Sequence, residues 1–133
     1  MKIRLHCNLC GFIPGRTGGA QVFLEGLLPI IHSFEEIDLL VHGPQVVKAW
    51  LRELGDSISF ATVGDSSHSI INRFLSVRQL KSKLSPGDLV WSPLNQGVGQ
   101  SNGFKEIVTI HDLIPLHYWQ ASNIYPKEPE ATI

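Results

Sequence analysis

An excess of charge of either sign is missing from this chain. Its 133 residues carry 11 Lys and Arg against 12 Asp and Glu, interspersed along the sequence, for a formal net charge of −1. Nucleic acids and anionic membranes draw proteins through a one-signed field, so no nucleic-acid partner is expected and membrane contact is at most peripheral. Long apolar runs are missing as well. None approaches the ~18 residues of a membrane span, and no stretch of signal-peptide length follows Lys2 and Arg4, so a cytoplasmic location is the expectation. Neither an internal repeat nor a low-complexity segment is present. With 43% apolar and 17% charged residues, the composition is that of a globular chain and leaves little room for extended disorder. The length suits one domain and one core.

Cysteine is scarce. Cys7 and Cys10 form a single Cys-Asn-Leu-Cys, a spacing that suits a redox dithiol or half of a zinc site. Zinc would need two further ligands, and neither a second Cys pair nor a His-x-x-x-His supplies them. Haem attachment would need His after Cys10, where Gly11 stands. A redox dithiol normally opens a helix, whereas loop residues follow Cys10. The pair reads as two reduced thiols at a strand end, and no metal or cofactor is expected. A Gly-x-Gly-x-x-Gly fingerprint, a P-loop Gly-Lys-Ser/Thr and a Ser or Cys in a nucleophile elbow are also lacking.

What is present is a regular alternation of patterns. Lys2 to Cys7 alternates polar and apolar residues and reads as a first strand with Ile3 and Leu5 inward. A loop from Asn8 to Gly18 follows. From Gly19 the period becomes 3.6: Ala20, Phe23, Leu24, Leu27, Leu28, Ile31 and Phe34 fall on one helix face, with Pro29 expected to kink or shorten the helix. Ile37 to His42 reads as a second strand. Pro44 then sits at a favoured first-turn position, Val47, Trp50, Leu51 and Leu54 form an apolar helix face, and Gly55 is placed as its C-cap. Ser57 to Val63 is a third strand. A polar loop leads to a helix with Ile70, Ile71, Phe74, Leu75 and Leu80 inward, ending by Pro86-Gly87. Asp88 to Trp91 and Glu106 to His111 are the fourth and fifth strands. Between them Asn95 to Gly103 reads as a mobile loop over the strand ends. Strand–helix alternation implies right-handed crossovers and a Rossmann-like α/β fold: a doubly wound, mainly parallel sheet of about five strands with helices on both faces.

Two places in this frame could carry chemistry. Gly15-Arg16-Thr17-Gly18-Gly19-Ala20 joins the first strand to the first helix, where glycines admit a ligand to the backbone and free helix N–H groups favour a phosphate. Gly18 and Gly19 are the candidate ligand-binding residues, though a Gly-Gly at such a turn can equally serve turn geometry alone. The second place is Val108-Thr109-Ile110-His111-Asp112, a β-branched apolar run that ends in a polar pair. In open α/β sheets ligands sit at the carboxyl ends of the strands, so His111 and Asp112 are the candidate catalytic residues. His111 could bond a sugar hydroxyl or shuttle a proton, or simply be a hydrogen-bonded structural residue, and Asp112 could cap the next segment. Trp91, Trp119, Tyr118 and Tyr125 could stack on a sugar, but aromatics more often fill a core or cover an interface. His6, His32, His42, His68 and His117 show no metal spacing and read as structural or exposed.

Taken in order, Gly18-Gly19-Ala20-Gln21-Val22, Asp88-Leu89-Val90-Trp91-Ser92-Pro93 and Val108-Thr109-Ile110-His111-Asp112-Leu113-Ile114-Pro115 resemble the N-terminal half of a GT-B glycosyltransferase, specifically of glycosyltransferase family 4. The resemblance covers most of the chain, with residues 1–120 as one lobe of a GT-B fold, expected to be incomplete, and 121–133 as a polar tail. It implies transfer of a sugar, with retention, from a nucleotide-sugar donor to a glycan or lipid acceptor. This lobe would mainly bind the acceptor and one wall of the cleft. Gly19 would approach the donor phosphate or sugar by its backbone, His111 would contact the donor sugar, and no bound metal would be needed. The family's second lobe, with the basic residues that hold the diphosphate and a Glu-x7-Glu-type motif, is not in the sequence. Half a cleft cannot exclude water or neutralise the leaving diphosphate, so the chain alone is expected to be inactive. A second-lobe polypeptide or self-association is the expected partnership. The alternatives are a non-catalytic partner or remnant module and an autonomous flavodoxin-like nucleotide-binding domain.

Overall fold

The computed structural model describes residues 2–16, 18–64, 70–94, 96–99 and 103–111. Asp112, the four residues Tyr118, Trp119, Tyr125 and His117, His68, and the expected boundary near residue 120 lie outside the described residues.

The element order is β1 (Ile3–Asn8), α1 (Gly18–Ser33), β2 (Ile37–Gly43), α2 (Val46–Leu54), β3 (Ser59–Thr62), α3 (Ile70–Ser82), β4 (Leu89–Ser92) and β5 (Lys105–Val108). The strands form one five-stranded sheet in the order β3-β2-β1-β4-β5. Every pairing is parallel, with Leu5 opposite both Leu39 and Leu89. The chain winds outward from β1 through β2 to β3, then returns to the other side of β1. Right-handed crossovers therefore put α1 and α2 on one face and α3 on the other. The α/β doubly wound architecture expected from the alternation is the one observed.

Two cores follow from this layering. On the first face Leu5, Cys7, Leu39 and Val41 meet Leu24 and Leu28 of α1 and Val47, Trp50 and Leu51 of α2. Leu24 and Leu28 are fully buried, each worth ~1.5–3 kcal/mol relative to exposure. On the second face Val63, Val90 and Val98 pack with Leu80 and Val77 of α3. Pro44 lies just ahead of α2, where its carbonyl accepts from the Val47 N–H. Gly55 ends that helix by donating to the Leu51 carbonyl, but with extended backbone (φ −179°) rather than the left-handed turn expected of a C-cap glycine.

Four expectations are corrected. Phe34, placed on the inner face of the first helix, falls beyond it and is half exposed. β1 has no outward face from Leu5 onward: Leu5, His6, Cys7 and Asn8 are all buried, while Ile3, at the end of the strand, is exposed. A central parallel strand is covered on both sides, so its polar residues go inside too. α3 is rotated from the expected face. Ile71, Phe74 and Leu75 are 71%, 65% and 50% exposed, and Ser76 and Leu80 are buried. Ser76 can be accommodated because its hydroxyl donates to the Asn72 carbonyl. Finally, β5 ends at Val108, and Ile107, Val108 and Ile110 are exposed rather than buried, because β5 has a strand neighbour on one side only among the described residues.

Candidate functional site

The glycine turn and the end of β5 meet at the carboxyl edge of the sheet. Gly18 and Gly19 are the first two residues of α1, and Gly18 has φ +29°. A Cβ at either would meet nothing within 4 Å, so the backbone there is open to approach. The N–H groups of a helix's first turn have no intrahelical acceptor, which suits this opening to an anion. Gln21 secures the loop ahead of it, accepting from the Gly15 N–H at 2.6 Å and donating at 3.1 Å to Glu25, whose carboxylate also takes the Trp50 indole N–H.

Phe23 stands one helical turn after Gly19. Its ring lies edge-on to Trp91 of β4 at 6.3 Å and to His111 at 5.0 Å. Trp91 in turn donates its indole N–H to the Thr109 hydroxyl at 2.8 Å, tying β4 to the segment that carries His111. His111 itself bonds the Pro93 carbonyl through Nε2, at 2.5 Å, so the proton belongs on Nε2. The arrangement brings Gly18, Gly19 and His111 onto one rim with Phe23 as the link. Asp112 lies outside the described residues. Of the aromatics, Trp91 is buried and serves packing.

Beneath the rim, on the α3 face of the sheet, lies a polar layer that pattern reading missed. Asn8 donates to the Ser92 hydroxyl at 3.1 Å, and Ser92 donates to Glu106 at 2.7 Å. The same Glu106 oxygen accepts the Val98 N–H at 2.6 Å, holding the loop over the strand ends. One layer deeper, Asp88 accepts from His6 Nε2 at 2.8 Å, and His6 Nδ1 pairs with His42 Nε2 at 2.8 Å. Asp88 has only acceptor oxygens when ionised, so His6 carries its proton on Nε2 and must accept at Nδ1 from His42. That leaves His42 Nδ1 as a buried acceptor with no partner among the described residues. Burial first, then the electrostatic influence of its neighbours His6 and Lys83, pushes the His42 pKa down to about 4. Burial would raise the Asp88 carboxyl, but hydrogen bonds from Ser85 and His6 outweigh it and hold that pKa below its ordinary value.

Cys7 and Cys10 are buried and unpaired with each other. Burial is the main cause that pushes both thiols up, Cys10 to about 11. Neither is a thiolate at neutral pH, so neither is a nucleophile or a ready metal ligand. Among the described residues no group of three or more His, Cys, Asp or Glu could hold a metal ion. No helix of the described residues is long and apolar enough to cross a membrane.

Fold and rim together define a Rossmann-like α/β domain whose candidate ligand site lies at the carboxyl edge of the sheet. Compared with known proteins, the chain matches no family model, no curated sequence and no solved structure.

Proposed function

We propose that this chain is the N-terminal, acceptor-side portion of a retaining glycosyltransferase resembling family 4, acting with a donor-binding lobe on a nucleotide-sugar donor and a glycan or lipid acceptor. One observation carries the reading: Phe23 touches both Trp91 and His111, and Gly19 lies one turn before it in α1. The backbone that would approach the donor phosphate and the imidazole that would contact the donor sugar thus share a rim. The N–H groups and dipole at the start of α1 would offset negative charge gathering on the departing diphosphate. His111, oriented by Pro93 and Phe23, would fix the sugar, so that most of the catalysis is positioning. In this reading Asp112 supports His111.

A second reading, a non-catalytic docking module, draws on the apolar outer face of α3, where Ile71, Phe74 and Leu75 are exposed.

Calorimetric titration of uridine- and guanosine-diphosphate sugars into the chain and into His111→Ala tests the proposal. The expected result is weak binding, on the order of millimolar, that the substitution weakens further, because one lobe supplies only half the contacts. Tight binding that His111→Ala leaves unchanged would overturn it and favour an autonomous nucleotide-binding domain.

A further inference from the structure

A cavity of about 20 Å³ lies at the carboxyl ends of β1 and β4, on the α3 face, with Asn8, Arg73 and Gln96 as its polar lining and Val77 and Leu94 as apolar walls. The strand order reverses between these two strands, which is where open α/β sheets receive ligands. The sheet separates this notch from α1, so it is a different place from the rim of Gly19 and His111.

We infer that the notch binds a phosphate group, and, on the acceptor-lobe reading above, that the acceptor carries that phosphate. Arg73 extends from α3 over Gly11, its guanidinium 3.8 Å from where a Cβ on that glycine would stand. It is exposed and forms no ion pair among the described residues. Asn8 gives one amide hydrogen to Ser92 and accepts from the Cys10 N–H, which leaves its second amide hydrogen for a ligand. Cys10 does not compete as an anion, since burial keeps its thiol protonated. Glu106, beside Gly97 of the lining, is already engaged by the Ser92 hydroxyl and the Val98 N–H. Lys81, two turns further along α3, lies against the same loop, its Nζ 3.6 Å from where a Cβ on Gly99 would be. An incoming anion therefore meets the Arg73 guanidinium in the notch, with Lys81 as a second cation further along the same loop.

Size narrows the ligand. About 20 Å³ holds one oxygen-sized group and no ring. A single phosphate oxygen enters, the planar guanidinium engages a second, and the substituent on the phosphate points to solvent. That geometry fits a phosphate monoester or a phospholipid headgroup, which share this chemistry.

The test is an amide and side-chain NMR titration of the whole chain with inorganic phosphate at constant ionic strength. Saturating shifts are expected at Cys10, Gly11, Gly97 and the Arg73 Nε–H. Arg73→Gln should weaken binding by roughly tenfold or more, as loss of a charge-assisted hydrogen bond does, and Arg73→Lys should keep part of it. Arg73 is exposed, so an unchanged melt will show that the variants are folded. Non-saturating shifts, or saturating ones untouched by Arg73→Gln, would overturn the inference. Flotation with phosphatidylcholine vesicles, with and without phosphatidylglycerol, separates the sources. Binding that needs the anionic lipid and Arg73 assigns a headgroup, and phosphate saturation without flotation assigns a soluble ester. Nucleotide-sugar shifts at Gly19, read on the same spectra, keep the two ideas apart. A responsive notch with a silent rim removes the transferase reading alone, and the reverse removes the phosphate site alone.

Discussion

Acidification should destabilise this protein through His42, in a window that the structure defines. His42 is fully buried, with Nδ1 lacking a hydrogen-bond partner among the described residues, and its pKa is held at about 4 against an ordinary 6.5. Because the folded value is the lower one, between these two pH values the unfolded chain binds a proton that the native chain does not. Stability from this group is complete above pH 6.5 and is lost as pH falls toward about 4. One proton changes stability by about 1.4 kcal/mol per pH unit, so the loss across the window is on the order of 3 kcal/mol. For a domain whose total is ~5–15 kcal/mol, that is a visible fraction. Asp88 acts lower down: its depressed pKa supplies stability that is present above about 3.8 and lost below it. Urea unfolding followed by tryptophan fluorescence at a series of pH values measures the effect. His42→Gln is the reference, since it keeps an amide N–H for His6 but cannot titrate. The wild-type stability should fall more steeply than that of the variant between pH 6.5 and about 4. Parallel curves would refute the reasoning.

Other perturbations follow from the packing. Leu80→Ala should cost ~2–5 kcal/mol in chemical denaturation, while Phe74→Ser and Leu75→Ser should stay within about 0.5 kcal/mol, because α3 turns Leu80 inward and the other two outward. The opposite ranking would return the helix to the face its periodicity suggested. Gly97→Ala places a Cβ 2.7 Å from a Glu106 oxygen. It should displace that carboxylate from Ser92 and Val98, cost ~1–3 kcal/mol in a thermal melt and speed hydrogen exchange at the Val98 amide; unchanged exchange there would count against the Glu106 tie. Cys7 and Cys10 should resist a thiol reagent at neutral pH until the protein is unfolded, and rapid labelling of the native state would contradict their burial.

Much of the fold was legible because punctuation and periodicity agree in this chain. Pro44, Gly55 and Pro86-Gly87 bracket α2 and α3, and the strand–helix alternation leaves one plausible winding for the sheet. The rim residues were legible for the same reason: Gly18 and Gly19 open a helix after a strand, and His111 follows an apolar run. What escaped is the polar layer under α3. His6 and Asn8 alternate with Leu5 and Cys7, which in a half-exposed strand would mean that they face water. Only the two covered faces of a central strand make them internal, and their partners lie far off in sequence, Asp88 by 82 residues and His42 by 36. α3 failed for a related reason. Its apolar residues spread around the helix, so no stripe excludes the others, and Ser76 inside is tolerable only because Asn72 accepts its hydroxyl.

The central claim is that the rim at Gly19 and His111 receives a nucleotide sugar, and the two indoles offer the most direct measurement of it. Trp91 donates to Thr109 beside that rim, whereas Trp50 donates to Glu25 between α1 and α2. In an NMR titration with nucleotide sugars, the account predicts shifts of the Trp91 indole N–H together with the Gly18 and Gly19 amides, reduced by His111→Ala, while the Trp50 indole stays still. Shifts gathered elsewhere, or a rim that does not respond at millimolar donor, would contradict it.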